Sequence, residues 1–441
     1  MRFLEQSSIL LVNRIAGAAL ALAIGALSAR LLTPAELGSI VATLASVALL
    51  MRMASLGFGQ SAQFFGAKEH AEETSYRRTF LTCTVPLVVV SAVVLLLAGQ
   101  FVGNWALGGD RTSRELFAVL MYGVPLSMIH FIASLYSLGR RDMKDYMFLS
   151  LFPMFTSVVV LVCAMLMNLG LYAVVGAWMT QYVVSFAIGI LVLSKKGSHP
   201  SVRPRAAMKQ LCGYGLRSYF VALSAFAVTR VGLVIGVWYT TDAEVGFFAV
   251  GRNFADVLLL LYGAVGPLVL SYVSGMSTPD EYHPFIGRIC RITMLAFSCL
   301  ALLIAFAAPL GLPLVFGPEY AGQHVVVWLL LPGLIVISLQ RSLENYLYGR
   351  NKQAWLAYSH TLSIVVLIFA AYFLAPRWGA SGLALSTTLS FLASFAFTTI
   401  VAFVTDGLNP LSLVLPRISD FHLVSHRLQY LGARIYGRRI E

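Results

Sequence analysis

The sequence predicts an all-α polytopic membrane protein, with about twelve transmembrane helices in two parallel six-helix lobes around a central cavity. Of its 441 residues, 59% are hydrophobic and only 11% are charged, and the mean hydropathy is +0.81. Soluble domains typically carry about a quarter charged residues, so this composition excludes a soluble fold. The number of long apolar stretches and an internal repeat complete the prediction.

Twelve apolar stretches are long enough to cross a bilayer, which takes about 17 to 25 residues of helix. We number them as spans 1 to 12, at roughly 8–29, 37–62, 79–100, 115–137, 148–169, 172–194, 211–238, 244–275, 289–312, 323–348, 354–375 and 380–404. Span 1 ends in small residues that resemble a signal-peptide cleavage site. Because Arg14 lies inside its apolar stretch rather than before it, we expect an uncleaved span.

The chain contains a duplication. The six residues Thr33–Gly38, TPAELG, are echoed by Thr241–Gly246, TDAEVG, at an offset of 208 residues. In each copy Thr followed three residues later by Glu predicts a helix start with a capping box. Two further pairs recur at similar offsets, LGRR at 138–141 with YGRN at 348–351, and Gly170 with Gly379. Since each half has an even number of spans, the halves should be parallel and related by an axis along the membrane normal.

The distribution of basic residues predicts the orientation. Of 31 Lys and Arg residues, 21 fall in segments on the side of the N-terminus, four fall in the opposite loops and six lie within spans. By the positive-inside rule both termini are cytoplasmic. The net charge of +12 is therefore mostly a topology signal, and no nucleic-acid partner is expected. The five scattered cysteines indicate neither a disulfide framework nor a metal site.

The predicted organisation has four parts. Residues 1–194 form an N-terminal six-helix lobe and residues 211–405 a C-terminal one, joined by a basic cytoplasmic linker at 195–210 that is rich in Pro, Ser and Gly. In the basic tail at 406–441, apolar residues recur at helical spacing between arginines. This pattern is typical of an amphipathic helix on an anionic leaflet, and a solvated basic tail fits it as well.

Six basic residues lie within the spans, and all are arginines: Arg14, Arg52, Arg217, Arg230, Arg252 and Arg341. An arginine at the centre of a membrane helix costs about 2.5 to 3.5 kcal/mol even on lenient insertion scales. Several such residues facing lipid would cost near 10 kcal/mol, so they must face water, a protein partner or an anion.

Only two carboxylates lie well inside the spans. Asp256 follows Arg252 by four residues, and Glu344 follows Arg341 by three, so each could form an ion pair on the surface of its own helix. For Arg341 and Glu344, near the predicted cytoplasmic end of span 10, a structural pair is the expectation. For the deeper Arg252 and Asp256 a functional role is expected.

The other arginines have no such partner. Arg217 is close to the start of span 7 and can extend its charged group to the interface. Arg14, Arg52 and Arg230 have no carboxylate at pairing distance on their own helices. They leave a surplus of positive charge that suits an anionic substrate, and guanidinium is the group that binds phosphate through two parallel hydrogen bonds.

A series of motifs resembles a known family. They are LLTPAELG at the start of span 2, LGRRD and YGRNKQAW at the ends of spans 4 and 10, FGPEYA before span 10 and WGASGLALSTTLS at span 12. In this order, over residues 1 to about 405, the chain resembles a polysaccharide flippase of the multidrug/oligosaccharidyl-lipid/polysaccharide exporter superfamily.

The resemblance implies a V-shaped cavity lined by spans 1, 2, 7 and 8, with alternating access across a bacterial inner membrane. It implies that Arg14, Arg52, Arg230 and Arg252 bind the diphosphate of an undecaprenyl-linked oligosaccharide, and Asp256 would orient them or couple transport to an ion. Further candidates are Arg217, Arg341 and Glu344. The partners it implies are this lipid-linked substrate, membrane lipids, and polysaccharide polymerase and chain-length proteins.

Alternatives remain open. Lipid II flippases of this superfamily usually have two further helices, which favours a surface-polysaccharide repeat unit as the substrate here. A drug or metabolite extruder of the same fold would need cavity carboxylates for cationic substrates, whereas intramembrane Arg outnumbers Asp and Glu by six to two. A non-transporting scaffold of a polysaccharide-assembly complex would leave the arginines without a purpose. The chain contains no P-loop, metal signature or nucleophile elbow, so neither an enzyme nor a cofactor is expected.

Overall fold

The computed structural model describes residues 2–72, 75–107, 118–195, 202, 204–260, 273, 276, 278–350, 352 and 354–414. The helices of the first half are α1 Arg2–Leu31, α2 Pro34–Ala54, α3 Phe58–Glu72, α4 Arg77–Leu107, α5 Gly123–Gly139, α6 Met143–Leu166 and α7 Leu171–Ser194. Those of the second half are α8 Pro204–Tyr239, α9 Asp242–Ala255, α10 Pro279–Phe316, α11 His324–Gly349, α12 Ala354–Asp406 and α13 Leu411–Val414, with 3-10 helices at Asp256–Leu260 and Pro318–Gln323.

The predicted membrane spans are confirmed for most of the chain. Within the described ranges, 10 helices are long and apolar enough to cross a membrane. One of them, α12, covers both span 11 and span 12, and its backbone leaves the helical conformation at Gly379, where φ is 53°, so it consists of two helices that meet at a kink. Together these helices account for every predicted span except span 8, of which the structure describes residues 244–260 and 273. The all-α membrane fold is therefore confirmed.

Span 2 is not the continuous helix that its hydropathy predicts. It divides into α2 and α3, because Leu56 and Gly57 adopt left-handed backbone conformations with φ of 45° and 79°. At this break the backbone of Gly57 lies directly on α8, where a Cβ atom would come within 2.2 Å of the Gly215 carbonyl oxygen. Glycine is required here because only it combines positive φ with such a close approach.

Span 8 was also predicted as one long helix, and that prediction is wrong at Asp256. The α-helix α9 ends at Ala255, Asp256 is its C-cap, and the chain continues as a 3-10 helix. A 3-10 turn has poorer hydrogen-bond geometry than an α-helix and often marks a hinge. The chain therefore changes from an α-helix to a 3-10 helix at Asp256, the one carboxylate predicted deep inside this span.

The two copies of the repeated helix start are capped differently. In the first copy the capping box is complete, with Thr33 and Glu36 each bonding the other's backbone N–H. In the second copy Thr241 accepts from the Glu244 N–H, but the Glu244 carboxylate accepts from the N–H of Ala380 at 2.7 Å. The predicted second box is thus only half formed, because its carboxylate caps the helix that restarts after Gly379.

Three apolar cores define the arrangement of the lobes. We use the predicted topology to name the side of the termini inner and the other side outer. Toward the outer side, one core joins helices of both halves, from Leu37 of α2 to Phe248 of α9. Toward the inner side there are two further cores, one around Phe80 and Tyr136 that also includes Leu211 of α8, and another around Tyr346. The halves therefore share a core at the outer side, and at the inner side α8 joins the core of the first half.

The duplicated motif itself makes a close contact between the halves. A Cβ atom on Gly38 of α2 would lie 1.8 Å from the carbonyl oxygen of Asp242, and one on Gly246 of α9 would lie 2.1 Å from that of Pro34. Position 34 corresponds to 242, and 38 to 246, by the offset of the repeat. The two helix starts therefore cross symmetrically, backbone against backbone, at the outer side.

Ion pairs link neighbouring helices at their inner ends. The side chain of Arg140, in the LGRR motif after α5, lies 2.7 Å from that of the fully buried Glu69 of α3, and Glu69 also accepts a hydrogen bond from Tyr136. In the second half, Lys352 and Asp406 form a pair at 2.6 Å. The glycines of the two motifs end α5 and α11, as predicted.

At this crossing we expect the stability of the protein to depend strongly on the absence of a side chain at Gly38. Gly38→Ala should lower the free energy of unfolding by about 1–3 kcal/mol, because the added carbon overpacks backbone that cannot rotate away. Gly176→Ala is the matched control, since a Cβ at that helical glycine has no heavy atom within 4 Å. Thermal unfolding in detergent measures both. Equal melting temperatures for the two variants would show that the crossing does not hold the halves together.

Candidate functional site

A cavity of about 400 Å³ lies between the halves. Its wall combines α1, α8, the end of α9 and the following 3-10 helix. The lining residues are Arg14, Ala18, Ala21, Leu22, Arg230, Asn253, Asp256, Val257 and Leu259. The small side chains of Ala18 and Ala21 on α1 leave the space open. Polar groups reach it from α8, from α9 and from the 3-10 helix. We call this space the cationic chamber.

Two of the predicted arginines, Arg14 and Arg230, line the cationic chamber. Within the described part of the chain, neither guanidinium group has a carboxylate within the 4.0 Å that defines an ion pair. Both side chains are exposed, so water or a counter-ion can reach their guanidinium groups. The chamber therefore presents two positive charges, from opposite halves of the protein, that have no ion-pair partner among the described residues.

The predicted pair of Arg252 and Asp256 is formed. The Nε atom of Arg252 lies 3.5 Å from Oδ2 of Asp256, and Arg252 is only 7% exposed. Asp256 lines the chamber, whereas Arg252 lies behind it and is not among the lining residues. The Arg252 charge thus offsets the one carboxylate of the chamber wall, and the charges of Arg14 and Arg230 remain in excess.

Arg52 lies between two aromatic rings rather than on the wall of the cationic chamber. Its guanidinium carbon is 3.9 Å from the ring centre of Phe131 and 4.7 Å from that of Phe226. Phe226 also faces Arg230, whose guanidinium carbon lies 6.0 Å from the same ring centre. Cation–π contacts of this kind stabilise a charge by about 0.5–2 kcal/mol. The Phe226 ring on α8 therefore lies near the guanidinium groups of both Arg52 and Arg230.

The remaining candidates lie elsewhere. Arg217 belongs to α8, but its side chain falls outside the described residues. Arg341 and Glu344 lie on α11, and the Glu344 carboxylate is 3.0 Å from Nε2 of His360 on α12. The other ring nitrogen of His360 is 3.3 Å from the Ser224 hydroxyl group. This buried cluster lies within the second half and does not line the cationic chamber.

Sequence reasoning missed Asn253 as a lining residue. It follows Arg252 in an apolar helix, and its amide nitrogen would lie 3.2 Å from a Cβ placed on Gly25 of α1. Glycine at that position lets α1 approach the amide closely. The available signal was a second polar residue beside the deep arginine of span 8.

Hydrogen bonds join the two halves at the outer side of the cavity. Ser39 donates a 2.8 Å hydrogen bond to Asp242, beside the crossing of α2 and α9. Arg30, at the end of α1, donates to the carbonyl groups of Leu314 and Val315 at the end of α10. All of these contacts join the two halves on the outer side.

Comparisons with known proteins agree with this architecture. The model of the family described as polysaccharide biosynthesis protein matches residues 27–324. The chain belongs to this family. No curated protein matches it significantly. The predicted polysaccharide family is thus confirmed.

Solved structures share the fold at low sequence identity. An inward-facing multidrug resistance transporter of the MATE family superposes with a TM-score of 0.73 at 14% identity, covering 91% of this chain and 98% of that chain. The lipid II flippase MurJ, in an inward closed conformation, gives 0.70 at 13% identity, covering 99% and 100%. An outward-facing MATE transporter gives 0.62 at 16% identity, covering 93% and 95%. This family member is thus a multi-pass membrane protein with a transporter fold.

Proposed function

We propose that the chain is a flippase that moves an undecaprenyl-diphosphate-linked oligosaccharide from the inner to the outer leaflet of a bacterial cytoplasmic membrane. The observation that carries this proposal is the cationic chamber, with Arg14 and Arg230 facing one space without carboxylate partners. Membership of a polysaccharide biosynthesis family makes a saccharide the natural cargo. The transporter fold supports movement across the membrane rather than chemistry on the substrate.

The charge of the chamber matches a diphosphate. Guanidinium groups bind phosphate oxygens through paired hydrogen bonds and keep their charge in apolar surroundings. Two uncompensated arginines therefore complement a group that carries about two negative charges. A cationic drug would meet repulsion here, because the only described carboxylate of the chamber, Asp256, is paired with Arg252.

The arginines are expected to differ in role. Arg14 and Arg230 contact the diphosphate from the two sides of the chamber. Arg252 holds Asp256 in place, and Arg52 supports Arg230 from behind through Phe226. Polymerase and chain-length proteins would receive the sugar at the outer side.

The first test measures binding. Arg230→Ala should weaken the affinity of purified protein for undecaprenyl diphosphate by about 10- to 150-fold, the equivalent of one charged hydrogen bond of about 1.5–3 kcal/mol. Arg230→Lys should recover only part of this loss, because a lysine cannot donate two parallel bonds. Arg377→Ala, an exposed arginine beyond the chamber, is the control and should bind normally. Unchanged affinity in Arg230→Ala would show that the diphosphate does not bind at this site.

The second test concerns movement of the lobes. If they rock about the 195–210 linker, the crossing of α2 and α9 must open in the outward-facing state. Cysteines at Ser39 and Asp242, whose side chains touch at 2.8 Å, should form a disulfide in the present state. The disulfide should stop transport, and a reductant should restore it.

A chain cut in the linker allows that disulfide to be detected as a reductant-sensitive bond between the halves. The single variants Ser39→Cys and Asp242→Cys control for loss of the hydrogen bond and should transport under oxidising conditions. Full transport by the oxidised double variant would rule out opening at the crossing.

The third test concerns energy. Moving about two negative charges out of a negative cytoplasm releases about 4 to 5 kcal/mol at 100 mV, which suffices to drive export. We therefore expect flipping in vesicles to follow an imposed membrane potential. Asp256→Asn should slow it by displacing Arg252 while leaving its dependence on potential intact.

Ion coupling would give a different pattern. Asp256 Oδ1 is buried without a hydrogen-bond partner among the described residues, so it is where a proton or sodium ion would bind. Flipping that persists at zero potential, follows a proton or sodium gradient, and loses that dependence in Asp256→Asn or Glu344→Gln would contradict electrical driving.

A further inference from the structure

A second chamber, of about 280 Å³, lies directly beside the cationic chamber. The two chambers share Ala21, Arg230 and Asn253 in their walls. The second one extends toward the first half of the protein, between α1, α2, α6 and α7. Any molecule bound to Arg230 in the cationic chamber therefore has this space within reach.

One face of α7 supplies the aromatic side chains and an amide of the second chamber, whose other lining residues on α1, α2 and α9 are mostly small or aliphatic. Trp178, Gln181 and Tyr182 are spaced i, i+3 and i+4, so they project from the same side of the helix, and all three line the chamber. The ring centres of Trp178 and Tyr182 are 6.4 Å apart. We call the space the aromatic chamber.

The aromatic wall is preformed. A Cβ atom placed on Gly123 of α5 would lie 2.4 Å from the Tyr182 ring, so this ring packs directly on the α5 backbone. Backbone support on one side restricts the rotamers open to Tyr182. A ligand therefore meets an aromatic surface that needs little reorganisation, which lowers the cost of binding.

Two polar atoms of the aromatic chamber have no partner. The Ser28 hydroxyl group and the Gln181 Oε1 atom are buried without a hydrogen bond in the described structure, and Ser28 is only 4% exposed. A buried polar group left unsatisfied costs about 1–3 kcal/mol. Both residues line the chamber, so a turn of either side chain would bring its polar atom to a ligand with hydroxyl or amide groups.

We propose that the aromatic chamber binds the sugar nearest the diphosphate and selects which sugar is accepted. Resting on the proposed function, this inference adds a saccharide subsite to the phosphate site. The apolar face of a sugar ring would pack on Trp178 and Tyr182, and its hydroxyl groups would bond Gln181 and Ser28. Arg230, in both chambers, would mark the junction of sugar and phosphate.

The same residues argue against a lipid chain in this chamber. A hydrocarbon chain has no hydrogen-bonding group, so it would bury Gln181 and Ser28 with their polar atoms still unsatisfied. A sugar carries both a ring face and hydroxyl groups, which are the two features that this wall complements. A site built to bond hydroxyl groups strongly disfavours a ligand that lacks them.

Binding of two ligands distinguishes a sugar site from a lipid-chain site. The first ligand is undecaprenyl diphosphate, and the second is the same lipid carrying a single N-acetylhexosamine. In the unaltered protein the sugar should raise affinity at least tenfold, the equivalent of about 1.4 kcal/mol. Gln181→Leu and Trp178→Leu should each remove most of this gain and leave affinity for the bare lipid unchanged. Trp178→Phe, which keeps a ring, should retain part of it.

The control is Tyr172→Leu, a substitution at a 76% exposed residue of the same helix, which should bind both probes normally. The proposal is overturned if the sugar brings no gain, or if Gln181→Leu and Trp178→Leu leave the gain intact or weaken both probes equally. Equal weakening would indicate a lipid chain or a structural role. Failure of the proposed function would look different, because Arg230→Ala would then bind the bare lipid normally.

Discussion

Among the described residues, the guanidinium groups of Arg14 and Arg230 line one cavity without a carboxylate in ion-pair contact. Both side chains are exposed, so water or an anion can reach them. The nearby carboxylate of Asp256 is paired with Arg252. Under the proposed function a diphosphate balances these two charges, and Phe226 and Asn253 lie beside the groups that would hold it.

The duplication places equivalent backbone segments of the two halves against each other. The repeated helix starts cross at Gly38 and Gly246, each packing on the backbone of the other half, and Ser39 donates a hydrogen bond to Asp242 beside them. Around this crossing the outer core contains side chains of both halves, and at the inner side α8 packs on Gly57. Under the proposed function the crossing opens in an outward-facing state, so the backbone contact and the core around it would both have to separate.

The sequence predicted the fold well because composition and length decide whether a helix crosses a membrane. It predicted the Arg252–Asp256 pair because that contact is local. It failed at the break after Arg52, since the left-handed conformations of Leu56 and Gly57 depend on the approach of Gly215 from a distant helix. The contact of Glu344 with His360 was missed because residues on different helices meet only through the fold. The face of Trp178, Gln181 and Tyr182 had a readable spacing, but nothing in the sequence placed it beside Arg230.

The central claim is that the two uncompensated arginines bind the diphosphate of a lipid-linked saccharide. An experimental structure of the protein with an undecaprenyl-diphosphate-linked sugar tests this most directly. The account predicts both phosphate groups within hydrogen-bonding distance of Arg14 and Arg230. It also predicts the first sugar against Trp178. A diphosphate bound outside the chamber, with both guanidinium groups still free of any anion, would contradict it.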